Sequence, residues 1–174
     1  MLSENEPKAG RLPTALLNYT ARARRNTYAG GAKEVKRPLI KGFHELRYKE
    51  DGLVYRDMYI DFPMRPGNFA GMESMTEDGF DTGEHRVGYS YAGGLTEEGL
   101  RFGEGDVYKA LQHFLGEHSD KARMGESFTA KNGEWEYINK GEITDWGWMD
   151  HELLKRNGIL MHEMIGGGIN AYTK

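Results

Sequence analysis

Phe43-His44-Glu45-Leu46-Arg47-Tyr48-Lys49-Glu50-Asp51-Gly52-Leu53-Val54-Tyr55-Arg56-Asp57-Met58-Tyr59-Ile60-Asp61-Phe62 is the stretch on which the fold turns. Two extended runs, 43–49 and 53–62, flank an Asp-Gly pair. Val54, Arg56, Met58 and Ile60 alternate with Tyr55, Asp57 and Tyr59, which is the period of a strand. Asp-Gly supplies the positive-φ residues that a two-residue hairpin turn requires. The stretch therefore reads as a β-hairpin.

The same punctuation recurs along the chain. One series runs Asp51-Gly52, Asp78-Gly79 and Tyr91-Ala92-Gly93-Gly94. A second runs Asn132-Gly133, Asn157-Gly158 and Gly166-Gly167-Gly168. The turn glycines stand 27 residues apart in the first series and 25 in the second. Both series read as one meander of four strands, built twice. The first is predicted over 43–49, 53–62, 68–75 and 85–91, and the second over 126–130, 134–140, 146–154 and 159–165.

A helix precedes each meander. Leu12, Leu16, Tyr19 and Ala23 fall at helical spacing. Pro13 suits a first turn and Arg22, Arg24 and Arg25 suit a last one, so a helix is expected over 13–27. Asp106 is expected to cap a second helix, whose stripe is Val107, Ala110, Leu111, Phe114 and Leu115, with Gly116 as its stop. Residues 1–11 read as a flexible leader, and 32–42 and 95–105 as loops. The expected fold is α+β: two α-β4 units, about 12–94 and 106–168, duplicated about a pseudo-twofold axis in an antiparallel sheet. A continuous curved sheet is favoured over two sheets packed face to face. Residues 12–174 then form one domain.

Composition narrows the function classes. The chain has 174 residues, 38% hydrophobic and 11% aromatic, enough for one well-filled core. Its mean hydropathy is −0.72, and no run of about 18 apolar residues suggests a membrane span. The polar stretch 1–10 lacks a secretory core, and a chain without cysteine has no disulfide, thiolate nucleophile or zinc-thiolate site. A cytoplasmic bacterial protein is the expectation. Residues 1–50 carry +6 and residues 51–174 carry −10. With no arginine stripe interleaved with aromatics, nucleic acid is not an expected partner.

Four short motifs carry a resemblance. Tyr28-Ala29-Gly30-Gly31, Arg47-Tyr48, Phe69-Ala70-Gly71-Met72-Glu73 and Ile165-Gly166-Gly167-Gly168 together resemble a bacterial family of unknown function, whose members sometimes follow a helix-turn-helix domain in regulators. The resemblance spans roughly 27–169. Trp148-Met149-Asp150-His151-Glu152 lacks the glycine that the pattern would place there. The chain shows no helix-turn-helix, so no DNA-binding role is implied, and the resemblance implies no reaction.

Aligning Asp78-Gly79 with Asn157-Gly158 sets Phe69 opposite Trp148 and Glu73 opposite Glu152. Two carboxylates near a pseudo-axis could divide acid and base roles in a hydrolase, which makes Glu73 and Glu152 the catalytic candidates. Tyrosines and tryptophans in strands give a pocket an apolar wall with polar handles. The ligand-binding candidates are Arg47, Tyr55, Tyr59, Phe69, Glu73, Tyr91, Trp146 and Trp148. Trp146 and Trp148 are expected on one face of a strand as a stacking platform. His151-Glu152 and His162-Glu163 each lack the second His of a His-Glu-x-x-His site, and Gly103-x-Gly105 lacks the Lys-Ser/Thr of a phosphate loop. No metal and no cofactor are expected. The leading expectation is a non-enzymatic module that binds a small molecule or peptide on an aromatic-lined concavity. A hydrolase and a homodimerising interaction module are the alternatives.

Overall fold

A computed structural model describes residues 12–77 and 85–170. The leader 1–11 and the Asp78-Gly79 turn lie outside the described residues. The first unit is α1 (Thr14–Arg25), β1 (His44–Glu50), β2 (Leu53–Asp61), β3 (Asn68–Glu77) and β4 (His85–Leu95). The second is α2 (Glu97–Phe102), α3 (Glu104–Glu117), β5 (Phe128–Asn132), β6 (Trp135–Ile143), β7 (Gly147–Arg156) and β8 (Ile159–Asn170). All eight strands form one antiparallel sheet in the order β1-β2-β3-β4-β8-β7-β6-β5. The two meanders thus join through β4 and β8, as the continuous-sheet expectation required.

The register is twofold-symmetric to the residue. Tyr91 pairs with Gly166; on either side Tyr89 pairs with Gly168 and Gly93 with Met164. A half-turn about the Tyr91–Gly166 pair therefore exchanges Tyr89 with Met164. Glu73 stands opposite Tyr89 and Glu152 opposite Met164, so the same rotation exchanges Glu73 with Glu152. One strand further out, Asp57 opposes Glu73 and Asn139 opposes Glu152. Phe69 and Trp148 are likewise equivalent, facing Gly93 and Gly168.

α3 begins after Gly103, so Asp106 lies in its first turn rather than capping it, and Gly116 lies inside the helix rather than ending it. Two further sequence expectations need correction. Glu50 pairs with Leu53 around Asp51-Gly52, whose φ values of 51° and 75° suit a type I′ turn. Its counterpart is bracketed by Asn132 and Trp135, which makes the turn residues Gly133-Glu134 rather than Asn132-Gly133. Gly133, with φ 57°, occupies the first central position. Second, 95–105 is not a loop. Thr96 accepts a hydrogen bond from Gly99 N through its hydroxyl and caps the six-residue α2.

Helices cover one face of the sheet, here termed inner. Leu16, Tyr19 and Ala23 of α1 pack on Tyr55, Met75, Val87, Tyr89, Tyr91, Trp148 and Met164. Val107, Leu111, Phe114 and Leu115 of α3 pack on Leu95, Tyr137, Leu154 and Met161. Each unit supplies one long helix, and burial of these stripes is the main favourable contribution to folding.

Candidate functional site

A chain of ionised groups runs across the inner face. α1 carries Arg24 on its buried stripe with Leu16 and Thr20, one turn apart. Arg24 Nε and Nη2 donate to Glu73 Oε2 at 2.9 and 2.6 Å, and its Nη1 donates to Ala122 O at 2.6 Å. Arg123 follows α3 in a left-handed backbone conformation, φ 59°. Its Nε and Nη2 donate to Glu152 Oε2 and Oε1 at 3.0 and 3.1 Å, and its Nη1 lies 3.7 Å from Glu73 Oε1. Arg123 therefore bridges the two pseudo-equivalent carboxylates. Trp148 Nε1 donates to the Arg123 carbonyl at 3.0 Å and holds this loop against the sheet.

Glu152 also accepts from the Tyr137 hydroxyl at 2.7 Å, and His162 Nε2 lies 3.2 Å from its Oε1. Burial alone would raise its carboxyl; Arg123 and His162 outweigh that and hold it well below the usual carboxylate range. His162 and Glu163 point to opposite faces, with His162 fully buried and Glu163 bonded to the half-buried His151 at 2.6 Å.

Two further carboxyls move the other way. Asp57, buried on β2, is pushed up to about 7, first by burial and then by Glu73 across the ladder. The Tyr91 hydroxyl donates to Asp57 Oδ1 and opposes that rise. Burial pushes Asp150 up to about 6 against hydrogen bonds from Asn139 Nδ2 and Gly125 N. With two arginines facing four carboxyls, a buried cluster approaches neutrality only if Asp57 and Asp150 keep their protons.

Beside this network a cavity of about 270 Å³ opens between α3 and strands β2–β4. The sheet contributes Asp57, Tyr59, Asp61, Phe69 and Tyr91. Glu104, Tyr108 and Gln112, one turn apart on α3, form the opposite wall, and Tyr28 and Arg123 close the ends. Phe69 meets Tyr91 edge-on at 5.9 Å and stacks on His162 at 5.9 Å, which fixes its ring.

Of the eight ligand-binding candidates read from sequence, Tyr59, Phe69 and Tyr91 line this cavity. Tyr55 and Trp148 are core residues, both 2% exposed. Glu73 lies beneath, tied to Arg24. Arg47 is on the other face: it opposes Arg56 across β1–β2 and donates to Glu45 at 2.8 and 2.6 Å, so no pocket combines it with Glu73. Trp146 is 59% exposed in the turn before β7, so the expected Trp146–Trp148 platform does not form. Asp57, Tyr28, Tyr108, Arg24 and Arg123 were not anticipated. Arg24 had a signal, since it sits on the apolar stripe of α1; Arg123, in an irregular loop, had none.

Among the described residues, no group of three or more His, Asp or Glu is placed to hold a metal, and no helix is long and apolar enough to cross a membrane. Comparison with known protein families, with curated proteins and with solved structures finds no match to this chain.

Proposed function

We propose that the protein is a binding module for a small organic molecule, held in the cavity between α3 and the β2–β4 half of the sheet. The observation that carries this reading is a cavity walled by five aromatic rings, with the buried, polar Asp57 among its lining residues. Ligand sites are mostly apolar with few convergent polar groups, which matches this lining. A cytoplasmic setting fits a chain without cysteine.

The test is a thermal-shift screen of compounds small enough for the cavity. A ligand at about 100 times its Kd stabilises the fold by about 2.7 kcal/mol, a readily measured shift. Gln112→Trp, which fills the cavity from the half-buried wall of α3, is expected to abolish that shift without lowering the protein's own melting temperature. Stabilisation by no compound, or stabilisation that survives Gln112→Trp, would count against the reading.

A hydrolase dividing roles between Glu73 and Glu152 draws less support, because both carboxylates are buried in contact with Arg123 and neither lines the cavity. The interaction-module reading draws on the outer face, where Met72, Met149, Ile165 and Ile169 are 40–56% exposed. A concentration-independent monomer in light scattering would remove it.

A further inference from the structure

We propose that the cavity takes an organic monocation: a protonated amine or quaternary ammonium group on a compact apolar body. This rests on the small-molecule reading above and names the ligand's chemical class.

Charge is the first ground. Among the described lining residues the carboxyl groups are Asp57, Asp61 and Glu104, and the one cationic side chain is Arg123. Arg123 is already committed, with two hydrogen bonds to Glu152 and Glu73 close by. Its charge is neutralised within the protein, so the cavity is left with an excess of carboxyl groups. At the rim Glu34 accepts the Tyr59 hydroxyl at 3.0 Å, and the His44 ring lies 2.9 Å from Glu34 and 3.4 Å from Asp61. An anionic guest would meet these carboxylates with no uncommitted arginine or lysine among the described lining residues to offset them.

The rings are the second ground. Hydroxyls of Tyr59, Tyr91 and Tyr108 are turned to protein acceptors: Glu34, Asp57 and the Gly67 carbonyl respectively. These side chains therefore present ring surface to the cavity. Aromatic faces attract a cation through their quadrupole, and cages of several rings suit alkylammonium groups. The protein itself uses this attraction at Tyr91, whose ring lies 5.6 Å from the Arg123 guanidinium carbon.

The broken symmetry is the third. Asp57 and Asn139 occupy equivalent places opposite Glu73 and Glu152. Only the unit bearing the aromatic cavity has an ionisable group there. In the second unit a neutral amide fills that place and donates to Asp150 and to the Glu126 carbonyl, whereas the Asp57 side chain accepts the Tyr91 hydroxyl. A bound cation would add to the partial offset that Arg123 and Arg24, both paired to glutamates, give this buried carboxyl.

Isothermal titration of the full chain at pH 8 with phenethylamine, 2-phenylethanol and phenylacetate separates the alternatives by charge at nearly constant shape. Phenethylamine is expected to bind at least about tenfold more tightly than the other two, the scale of a hydrogen bond to a charged group. Asp57→Asn, which keeps an acceptor for Tyr91, is expected to lower amine affinity by about tenfold or more. Should that variant misfold, the rim pair Asp61→Asn and Glu104→Gln, both exposed, is expected to give a smaller loss that disappears at high salt. Equal or tighter binding of the alcohol or the acid overturns the cation assignment and leaves the small-molecule reading standing. Binding of none of the three also overturns the cation assignment, and the small-molecule reading is then decided by the thermal-shift screen.

Discussion

Asp57 and Glu73 are direct cross-strand partners on β2 and β3, two carboxyl groups buried face to face. Like charges directly opposite each other on a sheet are destabilising, and burial adds to the penalty. The sheet resolves the conflict by keeping a proton on Asp57 up to about pH 7. Between the unfolded value of 3.8 and about 7, the folded protein holds a proton that the unfolded chain has released. Stability therefore falls as pH rises through that window. Asp57→Asn removes this group's share of the dependence, leaving that of Asp150, whose carboxyl burial raises to about 6, and is expected to stabilise the protein above pH 7 by about 1–3 kcal/mol. Urea denaturation at pH 5 and pH 8 checks it; an unchanged pH slope in the variant would refute the assignment.

Glu152 behaves oppositely. Its carboxyl is held low in the fold, so its contribution is present above the unfolded value of 4.5 and is lost as pH falls towards the folded one. Glu152→Ala leaves Arg123 buried with only the longer Glu73 contact, an uncompensated charge expected to cost about 3–5 kcal/mol. Replacing both partners, Arg123→Met with Glu152→Leu, is expected to recover much of that loss, since no orphaned charge remains. Chemical denaturation of the single and double variants decides. A double variant no more stable than Glu152→Ala would show that the pair does more than balance charge.

The glycines of β8 make room for rings rather than ending a strand. A Cβ on Gly168 would collide with the Trp148 ring, and one on Gly166 with the Tyr89 hydroxyl. Gly88 on the neighbouring β4 has open space. Gly168→Ala and Gly166→Ala are each expected to destabilise by about 1–3 kcal/mol, and Gly88→Ala to be near neutral. Melting temperatures of the three variants test the contrast. Equal effects at all three positions would mean that ring packing does not set the cost.

How much of this was legible in the sequence follows from the reach of each signal. Alternation in 53–62 and the Asp51-Gly52 and Asn157-Gly158 pairs are local, and they marked the β1–β2 and β7–β8 hairpins, while Asn132-Gly133 marked the β5–β6 turn one residue early. The helix α2 was hidden because Gly99 in its interior reads as a loop residue. In the structure that glycine lets the helix approach the Met161 carbonyl of β8, a long-range reason invisible to local propensity. The site was legible only in part. Tyr59, Phe69 and Tyr91 share a face by strand periodicity, whereas Arg47 has the opposite parity once β1 is registered against β2. Tyr28, Tyr108 and Arg123 reach the cavity from a helix and two loops, and no pattern in one strand could place them beside Asp57.

Cation binding and the proton on Asp57 compete for one carboxyl group, which makes amine affinity depend on pH. Burial first, and then Glu73, Tyr91, Arg123 and Arg24 around it, set the Asp57 value of about 7. Below that pH most of the protein carries a protonated Asp57, and a cation must displace the proton to gain an ionic partner. Phenethylamine affinity is therefore expected to rise by up to about tenfold per pH unit from pH 5 towards 7, then level off above it. The amine stays protonated throughout, so the change belongs to the protein. Titrations in buffers of different ionisation enthalpy should also show a proton released per amine bound at pH 6 and none at pH 8.5. Asp57→Asn should flatten the profile, leaving only the weaker attraction of the rings and the rim. A profile that is flat in the unmodified protein, or equally steep in the variant, places the titrating group elsewhere and separates Asp57 from ligand binding.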